Sequence, residues 1–144
     1  MVLMKYLLDT NVLSEAIKTS PDGRVMGMLE RHQNEIATAS PVWHELQFGC
    51  MRLPISTKRS VIEAYLNHVI WRTMVILPYD DHAAEWHAKE RARLSLQGIT
   101  PPFVDGQIAA IAGVNGLVLV TRNVADFQFF SGIKVENWHT PFTR

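Results

Sequence analysis

Short apolar runs alternate along this chain with longer segments in which apolar residues recur at helical spacing. The apolar runs predict buried strands, four of them clear and the last one weaker, at residues 5–9, 35–39, 73–77, 117–121 and 134–136. Parallel strands buried on both faces read as continuous apolar stretches rather than alternating ones. Because the runs are separated by helical segments, the pattern predicts an α/β fold with a central parallel sheet covered by helices on both faces.

The segments between the strands predict the covering helices. Apolar spacing places them at about residues 11–18, 25–29, 40–49, 60–72, 80–97 and 104–114. Ser40 followed by Pro41 is a start signal, with serine as the N-cap and proline as the first helical residue. Gly98 is the expected stop of the long helix over 80–97, and residues 99–103 form a proline-containing loop.

Size and composition limit the class of protein. The 144 residues predict one domain spanning 1–144, and 47% hydrophobic against 19% charged residues indicates a globular chain. One cysteine, Cys50, excludes an intrachain disulfide and favours a reducing, cytoplasmic setting. The first apolar run is interrupted by Lys5 and ends at Asp9, so it is too short for a signal sequence or a membrane span. We therefore expect a soluble protein with no membrane partner.

The formal net charge is zero, with 14 basic and 14 acidic residues. A protein whose only task is to bind duplex nucleic acid is usually clearly basic, because neutralised phosphates supply most of its affinity. The balance therefore argues against a simple nucleic-acid-binding module. It does not argue against a nuclease, because a bound metal ion changes the sign of an acidic pocket.

Four acidic residues lie at the ends of apolar elements, each in a different segment of the chain. The segments are LLDTNVLSE, PVWHELQFG, PPFVDGQIAAIA and VTRNVADF, and their acids are Asp9, Glu45, Asp105 and Asp126. In open parallel sheets, working residues gather beyond the carboxyl ends of the strands. Mg²⁺ and Mn²⁺ prefer oxygen ligands and bind through a few carboxylates together with substrate phosphate. The four acids therefore predict a divalent-metal phosphodiesterase site.

Each acid also has a purely structural interpretation. Asp9 could cap the helix that follows it, and Glu45 could be a solvated helix residue. Asp105 could be favoured by the dipole at a helix start, and Asp126 could cap a turn. Taken one at a time, the four acids do not distinguish these interpretations from the metal site.

Other chemistries find less support. The histidines are scattered, without an HExxH pair, so a zinc site is not indicated. The chain has neither a GxSxG elbow nor a glycine-rich phosphate loop. An aspartyl-phosphate phosphatase would require a second acid two residues after Asp9, and Asn11 occupies that position.

The four acidic segments, in this order and spacing, resemble those of PIN-domain proteins and, within them, the VapC toxins of bacterial toxin–antitoxin pairs. The segment GIKVENW near the C-terminus is similar to the closing strand of that subgroup. The resemblance covers nearly the whole chain. It implies a PIN-like fold and a Mg²⁺- or Mn²⁺-dependent endoribonuclease that hydrolyses RNA phosphodiester bonds, with tRNA among the candidate substrates.

The resemblance also implies roles for individual residues. Asp9, Glu45 and Asp105 would bind the metal, and Asp126 would join them as a catalytic acid. Some relatives have an acid where this chain has Asn123, so the fourth group of the metal site is Asn123, Asp126 or both. The remaining polar neighbours would orient ligands or substrate, with Arg122 the candidate for phosphate contact: Thr10, Asn11, Thr121, Arg122 and Asn123.

By the same resemblance we expect a homodimer and a cognate antitoxin, which together can form a hetero-oligomer. The apolar stretches 61–70 and 12–29 are candidate partner surfaces, although most of their residues fit an ordinary core as well. The alternative function is a non-catalytic PIN-like protein that acts by binding protein or nucleic-acid partners. It predicts metal-independent behaviour and tolerance of Asp105→Asn. No motif encodes which RNA is bound or how many metal ions.

Overall fold

A parallel sheet forms the centre of the molecule. The computed structural model describes residues 3–141. Within them the strands follow the order β3-β2-β1-β4-β5 and all neighbours run parallel. Their bounds are Tyr6–Leu8 (β1), Ile36–Ala39 (β2), Val75–Leu77 (β3), Val118–Val120 (β4) and Lys134–Glu136 (β5). Helices flank the sheet on both faces, so the predicted α/β architecture is confirmed.

The helices connect consecutive strands. They are α1 (Thr10–Leu13), α2 (Gly23–Arg31), α3 (Ser40–Met51), α4 (Thr57–Tyr65), α5 (Trp71–Thr73), α6 (Asp81–Ser95) and α7 (Phe103–Asn115). Three irregular helical turns complete the set: a 3₁₀ turn over Ser14–Ile17, a π-helical turn over Leu66–Ile70 and a 3₁₀ turn over Val124–Phe127. In the described part of the chain, no helix is long and apolar enough to cross a membrane.

The register of the sheet places the first and the last of the acidic segments at one edge. Leu8, the last residue of β1, pairs with Thr38 on one side and Val120 on the other. Asp9 and Thr121 therefore follow their strands at the same level and lie next to each other. Leu7 and Leu8 are completely buried, which fits a central strand covered on both faces.

Most element boundaries fall within one to three residues of their predicted positions, and β5 matches its prediction. The strands predicted at 5–9, 73–77 and 117–121 are shorter than predicted, because only the three residues 6–8, 75–77 and 118–120 of each form the paired ladder. The helix expected over 11–18 is regular only to Leu13. The hydroxyl of Ser14 donates to the carbonyl of Thr10 at 2.7 Å, and the chain tightens there into a 3₁₀ turn.

Two helix starts differ from the prediction. Ser40 is not the cap of α3: the N-cap residue is Ala39, which has no side-chain cap bond. The Ser40 hydroxyl instead accepts from the backbone N–H of Tyr79 at 3.3 Å, and α3 continues past residue 49 to Met51. The helix expected over 60–72 begins earlier, at Thr57, where the Ser56 side chain provides the cap.

The candidate partner surfaces divide between core and exterior. Val12, Val25 and Ile70 are completely buried and belong to the core, whereas Val61 and Val69 are exposed. The ordinary-core interpretation therefore holds for the first group. Only the exposed residues remain available to a partner.

Candidate active site

Asp9 lies at the carboxyl end of the central strand. Its backbone N–H donates to the carbonyl of Val120 at 2.9 Å, which extends the β1–β4 pairing by one bond. Its side chain is only 8% exposed. The carboxylate accepts from the backbone N–H of Thr10 through Oδ1 and from the hydroxyl of Thr121 through Oδ2, both at 2.8 Å. Asp9 is therefore the N-cap of α1, as its structural interpretation required, and also the buried acid of a cleft.

Thr121 connects the loops that follow β1 and β4. Its hydroxyl is completely buried, donates to Asp9, and accepts from Asn11 Nδ2 at 3.3 Å and from the backbone N–H of Asn123 at 3.1 Å. Asn11 Oδ1 in turn accepts from the backbone N–H of Arg122 at 3.0 Å. All five polar neighbours named from the sequence thus belong to one hydrogen-bonded unit around Asp9.

Three of the four predicted acids line a single cleft of about 380 Å³. Asp9 comes from the end of β1, Glu45 from α3 and Asp105 from the first turn of α7. The other lining residues are Thr10, Asn11, Val104, Ile108 and Asn123. The cleft therefore draws on segments spread over more than a hundred positions of the chain.

The two candidates for the fourth group lie in different places. Asn123 lines the cleft together with Asp9. Asp126, on the 3₁₀ turn after β4, faces a neighbouring hollow of about 190 Å³ beside Pro101 and Phe129. The negative charge of Asp126 nevertheless acts on both Asp9 and Asp105. Asn123 is better placed to act as a neutral metal ligand. Asp126 is better placed to act through its negative charge, which raises the pKa of Asp9 and Asp105.

Burial and mutual repulsion raise the pKa of two acids. Burial is the main cause that raises the pKa of Asp105 to about 6, and the charges of Asp126 and then Asp9 add to it. The pKa of Asp9 is also raised, chiefly by burial and further by Asp126 and Glu45. The hydrogen bonds from Thr121 and Thr10 oppose that rise because they favour the ionised carboxylate.

The donors of the cleft suit a hard divalent cation in kind. Its lining residues include three carboxylates and two side-chain amides, and neither Cys nor His is among them. Among residues 3–141, however, no three His, Cys, Asp or Glu side chains lie close enough together to form a ligand set. Asp9, Glu45 and Asp105 line the same cleft. A cation bound there would offset the charge repulsion that contributes to the raised pKa of Asp105.

Sequence reasoning missed the support behind Asp105. Gly106, the next residue, packs directly on the imidazole of His87 in α6, and a Cβ at this position would overlap that ring. His87 is 4% exposed and its Nδ1 lies 2.9 Å from the Tyr79 hydroxyl. The available signal was a glycine inside an otherwise helical segment, which often marks close packing.

Comparisons with known proteins agree with this arrangement. The family model described as PIN domain matches residues 6–128. The chain is 29% identical over 137 residues to the tRNA(fMet)-specific endonuclease VapC of Salmonella typhimurium, covering 94% of this chain and 99% of that protein. It is 33% identical over 137 residues to the toxin FitB of Neisseria gonorrhoeae, with coverages of 92% and 98%.

Solved structures show the same fold. FitAcB from Neisseria gonorrhoeae superposes with a TM-score of 0.85 at 30% identity, covering 94% of this chain and 99% of that one. DNA-bound VapBC from Salmonella typhimurium gives a TM-score of 0.82 at 30% identity, with coverages of 94% and 98%. The chain belongs to the PIN-domain family and groups with its VapC-type toxins.

Proposed function

We propose that this protein is the toxin of a toxin–antitoxin pair and that it hydrolyses RNA phosphodiester bonds with the help of Mg²⁺ or Mn²⁺. The observation that carries the proposal is the meeting of Asp9, Glu45 and Asp105, from three separate elements, in one cleft. A site made of spread carboxylates at the carboxyl edge of a parallel sheet matches the chemistry of metal-assisted phosphoryl hydrolysis.

Asp9, Glu45 and Asp105 would hold the metal, with the amide oxygen of Asn123 as a neutral fourth donor. When bound, such an ion polarises the phosphate and lowers the pKa of a coordinated water. Thr121 fixes the orientation of the Asp9 carboxylate and favours its ionised form through the 2.8 Å hydrogen bond. With a pKa of about 6, Asp105 is mostly ionised at neutral pH. The exposed Arg122 follows Thr121 directly and is our candidate for phosphate contact.

The relatives suggest the substrate and the partners. One is named a tRNA(fMet)-specific endonuclease, so we propose a structured cellular RNA, with tRNA as the first candidate. The solved relatives FitAcB and VapBC are complexes, so we propose a cognate antitoxin and a homodimeric toxin within a hetero-oligomer. A hollow of about 870 Å³ is the candidate antitoxin surface, and its apolar lining includes Leu13, Met26, Tyr65, Val69 and Met74.

A second candidate function is a binding protein without catalysis. One observation favours it: within the described residues, the acids do not form a ready three-ligand set. It predicts that a divalent cation changes nothing and that Asp105→Asn keeps full function.

The deciding experiment incubates antitoxin-free protein with a mixed cellular RNA pool, in Mg²⁺ or Mn²⁺ and in EDTA. Asp9→Asn is the inactive variant, and Asp80→Asn is its matched control because Asp80 caps α6 as Asp9 caps α1. We expect metal-dependent products from the wild type and from Asp80→Asn, and none from Asp9→Asn. Equal cleavage by the wild type and Asp9→Asn would contradict the proposal. Metal-independent binding without cleavage would favour the binding protein.

A further inference from the structure

A half-exposed aromatic ring stands two residues before the cleft acid Asp105. Phe103 is the first residue of α7 and is 51% exposed. The guanidinium carbon of Arg91 lies 5.4 Å from the centre of its ring. Exposed phenylalanines are costly to leave in water, and an aromatic ring paired with arginine is the kind of surface on which nucleobases stack.

The positive charge of Arg91 is available to a ligand. Its neighbours on α6 are engaged, since Lys89 pairs with Glu85 at 3.4 Å and Arg93 with Glu90 at 2.7 Å. Within the part of the chain that the structure describes, Arg91 has no ion pair with a carboxylate. In a chain of zero net charge, a cation beside an acidic cleft supplies local attraction for phosphate.

His87 packs against the ring of Phe103. The imidazole of His87 lies with its centre 4.8 Å from that of Phe103, and the Tyr79 hydroxyl fixes His87 from the other side at 2.9 Å. The backbone of Gly106 packs on the same imidazole. One buried histidine thus packs against both Phe103 and the helical turn that bears Asp105.

The surface beside the ring has the dimensions of a nucleotide site. Phe103 and Arg91 border a hollow of about 500 Å³ on one side of the loop 99–101. The smaller hollow that contains Asp126 lies against the same loop. Val104, the next residue after Phe103, lines the acidic cleft itself. Phe103 is therefore the chain neighbour of a residue that lines the cleft in which we place the reacting phosphate.

We infer that Phe103 and Arg91 form a subsite for one unpaired nucleotide of the RNA substrate, in which Phe103 stacks on the base and Arg91 attracts a neighbouring phosphate. This inference rests on the proposed nuclease function and extends it to the recognition of single-stranded RNA. A base stack tolerates any sequence, because every base has a π-face. The subsite would therefore select unpaired over paired RNA rather than one base over another.

The test measures binding of short fluorescein-labelled oligouridine and oligoadenosine strands to Asp9→Asn protein in Mg²⁺, so that cleavage does not interfere. Phe103→Leu should weaken binding about tenfold, the usual order for loss of one base–aromatic stack, and Phe103→Trp should restore it. Arg91→Gln should reduce the salt dependence of binding by about one phosphate contact, and Arg91→Lys should retain it. A blunt-ended, fully paired duplex of the same length offers no unpaired base, so its affinity should be the same for Phe103→Leu as for the protein that keeps Phe103.

Phe48 and Arg52 on α3 provide a matched control. Phe48 is 49% exposed and Arg52 lies 5.6 Å from its ring centre, but, unlike Phe103, Phe48 has no chain neighbour in the lining of the acidic cleft. Phe48→Leu should leave RNA binding unchanged, with the oligomeric state of each variant checked by light scattering. Equal losses in Phe48→Leu and Phe103→Leu would overturn the inference.

Failure of the subsite and failure of the nuclease are separable in a parallel cleavage assay with an otherwise wild-type chain. Metal-dependent cleavage by the wild type, with unchanged binding and cleavage in Phe103→Leu, would overturn the subsite alone. Absence of both cleavage and RNA binding would overturn both. Unchanged RNA binding together with loss of antitoxin binding in Phe103→Leu would replace the subsite by a protein contact.

Discussion

The hydroxyl of Thr121 donates a 2.8 Å hydrogen bond to Oδ2 of Asp9, although 112 positions separate the two residues. The bond crosses from the loop after β4 to the end of β1. It counteracts the effect of burial on Asp9, whose pKa is raised by loss of water and by the charges of Asp126 and Glu45. The chemistry of the buried acid therefore depends on a residue that is itself no acid.

Replacement of this threonine should separate stability from catalysis. Thr121→Val removes the donor to Asp9 and leaves Asn11 Nδ2 and the N–H of Asn123 without their acceptor. We expect a loss of roughly 1–3 kcal/mol in the free energy of unfolding and a shift of the pH–activity profile toward higher pH, because the pKa of Asp9 rises further. Urea denaturation and the pH dependence of cleavage measure the two effects.

Thr38 provides the control for that variant. It is equally buried, on the other neighbour of β1, and its hydroxyl donates to the carbonyl of Leu8 at 2.8 Å without touching Asp9. Thr38→Val should cost stability but leave the pH profile in place. The same profile shift in both valine variants would show that general loosening of the sheet, and not the Asp9 bond, causes it.

The raised pKa of Asp105 predicts that the metal-free protein loses stability as the pH rises. Its pKa is about 6, against an ordinary value of 3.8. The folded state therefore holds a proton that the unfolded state has released, and the contribution of Asp105 to stability, complete below about pH 4, is lost as the pH rises through about 6. Because the group is only partly buried, solvent screening reduces the effect to roughly 1 kcal/mol.

Thermal unfolding in EDTA at several pH values measures this dependence. Asp105→Asn should flatten the fall between pH 4 and neutral pH, and Mg²⁺ added to the wild type at neutral pH should restore the lost stability. An exposed acid of α6 serves as the reference variant, Asp81→Asn. If the wild type and Asp105→Asn fall in parallel, Asp105 does not have the raised pKa described here.

Variants of Asn123 and Asp126 distinguish the two candidates for the fourth group. Asp126→Asn removes the neighbouring charge that most raises the pKa of Asp105, so the acidic limb of the pH–activity profile should move to lower pH. Asn123→Ala removes an oxygen from the cleft and should raise the Mg²⁺ concentration required for half-maximal cleavage. Activity measured across pH and Mg²⁺ concentration tests both effects. A reversal, with Asp126→Asn changing only the metal requirement, would make Asp126 the ligand.

Gly106→Ala should damage the site through the backbone. A Cβ at residue 106 would overlap the imidazole of His87, so α7 must shift and carry Asp105 with it. Overpacking of this kind costs roughly 1–3 kcal/mol. Gly113→Ala is the matched variant, since its Cβ would lie 2.7 Å from the Trp86 ring two turns further along α7. Both should lower the urea midpoint, but only Gly106→Ala should lower the activity of the folded fraction.

An intact activity per folded molecule in Gly106→Ala would mean that Asp105 tolerates the shift. Substitution of the facing residue then provides an independent check. Combining Gly106→Ala with His87→Ala should recover part of the lost stability, because the overlap is removed, and the recovered amount is the coupling between the two positions.

The sequence was sufficient for the features that are encoded locally. The apolar runs around Leu7 and Leu119 are strands because a continuous apolar stretch fits a strand buried on both faces. The acids Asp9, Glu45 and Asp105 were found because each lies inside its own short motif. For these features the relevant physics acts over a few neighbouring residues.

The remaining features depend on partners distant in the chain. Ser40 has the composition of a cap, yet its hydroxyl accepts from Tyr79, 39 positions away. The packing of Gly106 on His87 and the three hydrogen bonds of the Thr121 hydroxyl are likewise decided by the fold. Asp126, on the 3₁₀ turn Val124–Phe127, lines the neighbouring hollow rather than the cleft. No local sequence pattern specifies these contacts between residues distant in the chain.

The strand order has a consequence for the cell that makes this protein. β1 lies between β2 and β4. The residues around Asp9, which follows β1, therefore come from both halves of the chain. A nascent chain that has emerged only through β3 carries Asp9 and Glu45 but lacks Asp105 and the hydroxyl of Thr121. The set of cleft residues is therefore complete only near the end of synthesis, so a chain that is terminated early would lack the site.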